Sequence, residues 1–263
     1  MTVATLRRLA VILFACSVAG CAGRAQTLSP VHRLPPEAIP DDAGPGERYY
    51  MLVFGSERAI RVPRYTHTWA TVVKTVEAPG CAPQVAEVHT TSWMPATLDI
   101  HPWRFTPEPG RNLELHETIR MALNFRETVA LWGPYEIRPR LYRRFLLQKD
   151  YMESGRVGYQ CIDTVGAGAD GSGCDCIHAI TDMDPLFERG YYPLTRFGEA
   201  GSRNIVRQLF ERNLLLNEDT HSWLDGPLGL CCYPIQHRTY RDRPRMFGSL
   251  RRGAETRCQG EDE

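Results

Sequence analysis

Strand-like and helix-like segments follow one another in mixed order along this chain, with few β-α-β repeats. That pattern predicts an α+β fold, an antiparallel sheet with packed helices, rather than a doubly wound sheet. Two long β-branched runs, Tyr65–Val76 and Val85–Trp93, are separated by Ala78-Pro79-Gly80-Cys81-Ala82-Pro83. Pro-Gly punctuation between such runs predicts an antiparallel pair. Before them, Arg48–Gly55 is aromatic and β-branched, and predicts a strand that stops at glycine.

After a proline-rich loop from His101 to Arg111, Asn112 is expected to cap a helix with Leu115, Ile119, Ala122 and Leu123 on one face. Val129–Ile137 reads as a short apolar strand or extended linker. From Pro139 to about Glu153 the spacing of Leu141, Tyr142, Phe145, Leu146 and Met152 predicts an amphipathic helix with proline in its first turn. Arg156–Ile162 is expected to be a strand, Gly166–Gly173 a flexible loop, and Ser202–Leu214 a last helix with Ile205, Val206, Leu209 and Phe210 on its apolar side.

The ends read differently. Arg7-Arg8, a short apolar run from Leu9 to Cys16 and the small residues up to Gly20 make residues 1–20 a secretory signal. The apolar run is shorter than the roughly 20 residues a spanning helix needs. Val18-Ala19-Gly20-Cys21 is similar to a bacterial lipobox, which implies acylation of Cys21 and attachment to a membrane. With two or more acyl chains, at roughly 0.8 kcal/mol per buried methylene, that attachment would be stable. Ala22 in the next position accords with the outer membrane in a diderm cell. Residues 21–47, rich in Pro, Ala, Asp and Gly, are expected to be the lipidated anchor and a semi-extended spacer. Residues 48–240 would form the body, and 241–263 a polar, loosely held tail.

Lysine plus arginine equals aspartate plus glutamate, 31 each. This balance argues against a nucleic-acid footprint, which would carry a basic excess or stripe. The local cluster Arg138, Arg140, Arg143 and Arg144 reads as the solvated face of a helix. Neither a phosphate-binding glycine loop nor a dinucleotide fingerprint occurs, and no serine sits in a Gly-x-Ser-x-Gly setting.

The chemistry-bearing segments are Tyr65-Thr66-His67-Thr68-Trp69 and Cys174-Asp175-Cys176-Ile177-His178-Ala179-Ile180. A cysteine is a useful nucleophile as a thiolate, favoured at a helix start or beside an imidazolium. Cys176 follows a glycine-rich loop and Asp175, a natural N-cap, so its own amide could face a developing oxyanion. His67, on a strand, is the matching base.

The order histidine first and cysteine second, with Asp175-Cys176-Ile177-His178-Ala179 after a strand containing Tyr159, resembles the circularly permuted NlpC-type papain-like cysteine hydrolases and acyltransferases. The resemblance covers about a sixth of the chain. It implies that Cys176 attacks an amide or ester, that His67 serves as base, and that a polar residue on the next strand, His89, orients His67. It also implies peptidoglycan peptides or lipid acyl groups as substrates, with no cofactor. Asp175 replaces the family's asparagine, and a negative charge there opposes thiolate formation.

Two other readings compete. Cys174, Cys176 and His178, joined by Cys231, Cys232 or His237, could supply zinc ligands, although Cys-x-Cys departs from the usual Cys-x2-Cys spacing. Alternatively, in an exported protein the cysteines pair, leaving a non-catalytic envelope binding or scaffolding lipoprotein. Setting Cys16 and Cys21 aside leaves seven cysteines, so a free Cys176 would allow up to three bridges among the remaining six.

Overall fold

Nine consecutive residues of Glu47–Glu57 (β1) are buried. A strand with Tyr49, Tyr50, Met51, Leu52, Val53 and Phe54 in a row has no polar face to offer water, so it must be covered on both sides. It is. In the computed structural model, which describes residues 29–59, 62–187 and 197–242, β1 lies inside a six-stranded, mostly antiparallel sheet of a mixed α+β fold.

One edge of β1 pairs with Thr66–Val76 (β2), which pairs in turn with Gln84–Thr91 (β3). The other edge pairs with Thr128–Ile137 (β6), flanked by Leu215–Thr220 (β9) and, in parallel, Ile235–Arg238 (β10). Between β3 and β6 lie the short strands Trp93–Pro95 (β4) and Gly110–Asn112 (β5), paired with each other, and helix Leu115–Asn124 (α1). Pro139–Glu153 (α2) follows β6. A second two-stranded ladder, Gly158–Tyr159 (β7) with Gly173–Cys174 (β8), leads to the single helical turn His178–Thr181 (α3). Glu199–Glu211 (α4) is the last helix.

Alternation along β1 and β2 divides the core. Met51, Val53, Ala70 and Val72 pack with Leu141, Tyr142 and Phe145 of α2 and Ile205, Val206 and Leu209 of α4. Tyr50, Leu52, Phe54, Trp69 and Val73 pack with Leu115, Ile119 and Ala122 of α1 on the opposite face. Each fully buried aliphatic or aromatic side chain contributes roughly 1.5–3 kcal/mol. Helix α4 lies close on β1 because residue 55 is glycine: a Cβ there would sit 2.6 Å from Ser202 Oγ and 3.2 Å from the Glu199 Cα.

Several expectations are revised. Asn112 does not cap α1; it ends β5, and its side chain bonds the backbone of Ser92 and Thr90. The strand expected at Arg156–Ile162 shrinks to two residues. The glycine-rich segment after it is held rather than free, with the Gln160 side chain donating to the Ile162 and Val165 carbonyls and accepting from the Gly168 amide. The last helix begins at Glu199, before Ser202, and β9 and β10 were not anticipated.

The described part of the expected spacer is strapped to α2. Arg144, fully buried, donates to the carbonyls of Val31, Leu34 and Met183 and pairs with Asp184. Arg140 and Arg143 donate to the Ile39, Pro40 and Asp42 carbonyls. The basic cluster is therefore a clamp on the N-terminal segment, not a solvated face. Buried backbone carbonyls need donors, and a guanidinium supplies several at once. The signal, Cys21 and most of the tail lie outside the described residues. Among the described residues no helix is long and apolar enough to cross a membrane.

Candidate active site

Strand β3 leaves β2 after the Ala70–Thr91 pair, freeing the edge of β2 at its start. Into this gap the turn before α3 delivers Cys176. The turn is made by Asp175, whose Oδ1 accepts the Ile177 and His178 amides at 2.7 Å each while its carbonyl accepts the Ala179 amide. That is N-capping, as the sequence predicts. The sulfur lies against the β2 edge, where the Thr68 amide and the Cys176 amide donate toward it and favour the thiolate.

His67, the neighbour of Thr68, is 2 % exposed and faces the same narrow cleft. Pro63, Thr66, Tyr159, Cys161, Asp175, Cys176 and Gly198 also line it. The cleft has about 20 Å³ of free space, room for about one water-sized group. The imidazole stacks on Trp69, with centroids 5.5 Å apart, which fixes the ring plane.

His67 Nε2 is 2.8 Å from Ser92 Oγ. Its Nδ1 is buried and makes no hydrogen bond, to Cys176 or to any other group. Ser92 is itself positioned: its amide donates to Asn112 Oδ1 at 2.7 Å, and Asn112 also donates to the Thr90 carbonyl and Glu153. With Ser92 Oγ accepting, the proton of neutral His67 rests on Nε2, leaving the Nδ1 lone pair as a base.

The expected orienting residue, His89, does not reach His67. It pairs with Val72, an odd number of residues from His67, so the two imidazoles lie on opposite faces of the sheet. His89 instead contacts Glu87 at 3.3 Å and the edge of Tyr142. Ser92 is the side chain that bonds His67. Its position at the end of the β-branched run Val85–Trp93, where the strand must bend away, was the available signal.

Burial holds both groups neutral. Burial without a compensating acceptor pushes the His67 imidazole down to about 3. Burial, then the adjacent Asp175 carboxylate, pushes the Cys176 thiol well above its ordinary value. Cys161, on the same cleft and bonded to Tyr159, is pushed up to about 12, mainly by burial.

His178 is fully buried. Its Nδ1 donates to Asp163 Oδ1 and Oδ2 at 2.9 and 2.8 Å and lies 3.1 Å from Asp175 Oδ2. Despite burial, which acts in the opposite direction, the two carboxylates hold it charged well above the usual histidine range. Among the described residues, Asp163, Asp175 and His178 are the one trio with metal-ligand spacing, and they satisfy one another. The Cys174, Cys176, His178 zinc arrangement is not assembled. Cys81, Cys161, Cys174, Cys176 and Cys232 are not in disulfides and Cys231 is disulfide-bonded, so three bridges among the six partners do not form.

No protein-family model matches this chain, and no curated protein or solved structure is detectably similar to it.

Proposed function

We propose that this chain is a cell-envelope lipoprotein whose α+β domain is related to the circularly permuted papain-like hydrolases and acts as a thiol hydrolase or acyltransferase on an amide or ester. The observation that carries the reading is the shared cleft: His67 and Cys176, far apart in sequence, both line it, and the buried Nδ1 of His67 makes no hydrogen bond.

The resting pair is neutral, so the thiol proton moves as attack begins. The Cys176 sulfur adds to the substrate carbonyl while its proton passes to His67 Nδ1. The carbonyl oxygen takes the negative charge, and the Cys176 and Thr68 amides that favour the thiolate remain at hand. Collapse expels the amine or alcohol, which takes the proton from His67, and leaves a thioester on Cys176. Water or an acceptor hydroxyl then attacks the thioester, again giving its proton to His67; collapse breaks the C–S bond, the acid or new ester leaves, and His67 returns the proton to the Cys176 sulfur. Ser92 holds the ring through Nε2 and, when its hydroxyl accepts there, leaves the Nδ1 lone pair for the proton.

The test is acylation by activated esters followed by peptide mass mapping. Cys176 should gain the acyl group, Cys176→Ala should not at that position, and His67→Ala should slow the gain by roughly 10²–10⁴-fold, the usual range for a general base. Exposed Cys81 and Cys232 serve as internal controls. Acylation of these two alone would overturn the proposal and favour a non-catalytic binding lipoprotein, the reading to which the neutral resting pair lends weight.

Attachment is proposed through Cys21, and Cys21→Ser should move the protein from the membrane to the soluble fraction. From Cys21 to Ser29, the first strapped residue, the chain reaches at most roughly 28 Å. The body would then stay close to the bilayer.

A further inference from the structure

The charged cluster behind Cys176 is more than the cap of a turn. Asp175 has two tasks that conflict: its Oδ1 builds the turn that carries the sulfur, and its charge beside that sulfur opposes thiolate formation. Asparagine would cap the turn equally well without the charge. The structure supplies a counter-charge instead. Imidazole Nδ1 of His178 approaches three carboxylate oxygens, two of Asp163 and Oδ2 of Asp175, all within 3.1 Å. All three side chains are at least 96 % buried. Asp163 also accepts the Asp175 amide at 3.3 Å, so it holds the cap at its backbone as well as through His178.

We propose that Asp163 is a positioning residue for Cys176, acting through His178: it holds a buried imidazolium against Asp175, and that cation locks the cap while offsetting the Asp175 charge at the thiol. The use made of the thiol rests on the function proposed above; the electrostatic arrangement does not. With His178 charged the trio carries one net negative charge; in Asp163→Asn a neutral His178 leaves that same net charge, now all on Asp175 beside the sulfur with no counter-ion against it. The other ionisable groups facing the sulfur are His67, Tyr159 and Cys161, all held neutral. Asp182, one turn on, is the next buried acid along the chain, and Arg144 pairs with Asp184 rather than with the trio.

The test compares wild type with Asp163→Asn in two readouts that need no turnover. In protein labelled at histidine carbon, the His178 ring should remain charged through pH 8 in wild type and lose its charge at lower pH in Asp163→Asn. The pH profile of Cys176 alkylation by iodoacetamide, read by peptide mass mapping, should move to higher pH in the variant. The rate at pH 8 should fall about tenfold, and Asp163→Glu should restore part of it.

An alkylation rate that rises or falls equally at every pH in Asp163→Asn would mean a merely structural role and would overturn the proposal. A neutral His178 at pH 7 in wild type would overturn it without any variant, which covers failure of Asp163→Asn to fold. If ester acylation of Cys176 fails while the alkylation profile still shifts, the catalytic reading falls and this one stands.

Discussion

Lowering the pH from 7 to 4.5 should cost the folded domain about 2–3 kcal/mol through His67 alone. The folded imidazole titrates near about 3, and the unfolded one at about 6.5. Between those values the unfolded chain binds a proton that the folded chain refuses. Stability therefore rises with pH across that window and is lost as pH falls below about 6.5. At pH 4.5 the gap is about two units, each worth 1.36 kcal/mol. The side chain is buried, so solvent does not screen the effect.

The assay is denaturant unfolding of wild type and His67→Gln at both pH values, followed by the fluorescence of buried Trp69, Trp93 and Trp132. Glutamine does not titrate and can still bond Ser92. Protonation of carboxylates weakens both proteins equally and cancels in the comparison. His178 cancels too: its folded pKa is raised, so its contribution is fully present below about 6.5 and is lost only at higher pH. Wild type should lose about 2–3 kcal/mol more than the variant on acidification. Equal losses would refute the reasoning, and would mean that a proton acceptor or open water reaches Nδ1.

Ser92→Ala should lower the rate of Cys176 acylation roughly 10–100-fold at the cost of about 1 kcal/mol of stability, since one neutral hydrogen bond is lost and the imidazole is free to change tautomer; single-turnover kinetics with unfolding curves check both. Arg144→Ala should leave buried carbonyls of the N-terminal strap and Asp184 without their donor and destabilise the domain by about 3–5 kcal/mol. Limited proteolysis should then cut between residues 29 and 42 well before the body.

Patterns of local origin were legible from the chain alone. The extent of α2, the β2–β3 pair and the Asp175 cap each follow from spacing, turn chemistry or residue type within a short window. Uninterrupted apolar character in β1 marks a strand covered on both faces, whatever covers it. What only the tertiary structure decided is how separate windows meet. His89 and Ser92 are three residues apart on one run, and the register of β3 against β2, with its departure after Thr91, sends one hydroxyl to His67 and one imidazole to the far face. The arginines of α2 read as solvated because nothing local announces that the N-terminal segment returns to claim them. Short strands such as β9 and β10 take their form from the edge of β6 they join rather than from their own residues. Sequence determines which groups can act as nucleophile, base and cap, through their intrinsic chemistry. Burial and distance, which push the His67 imidazole down and the Cys176 thiol up, exist only once the chain has closed around them.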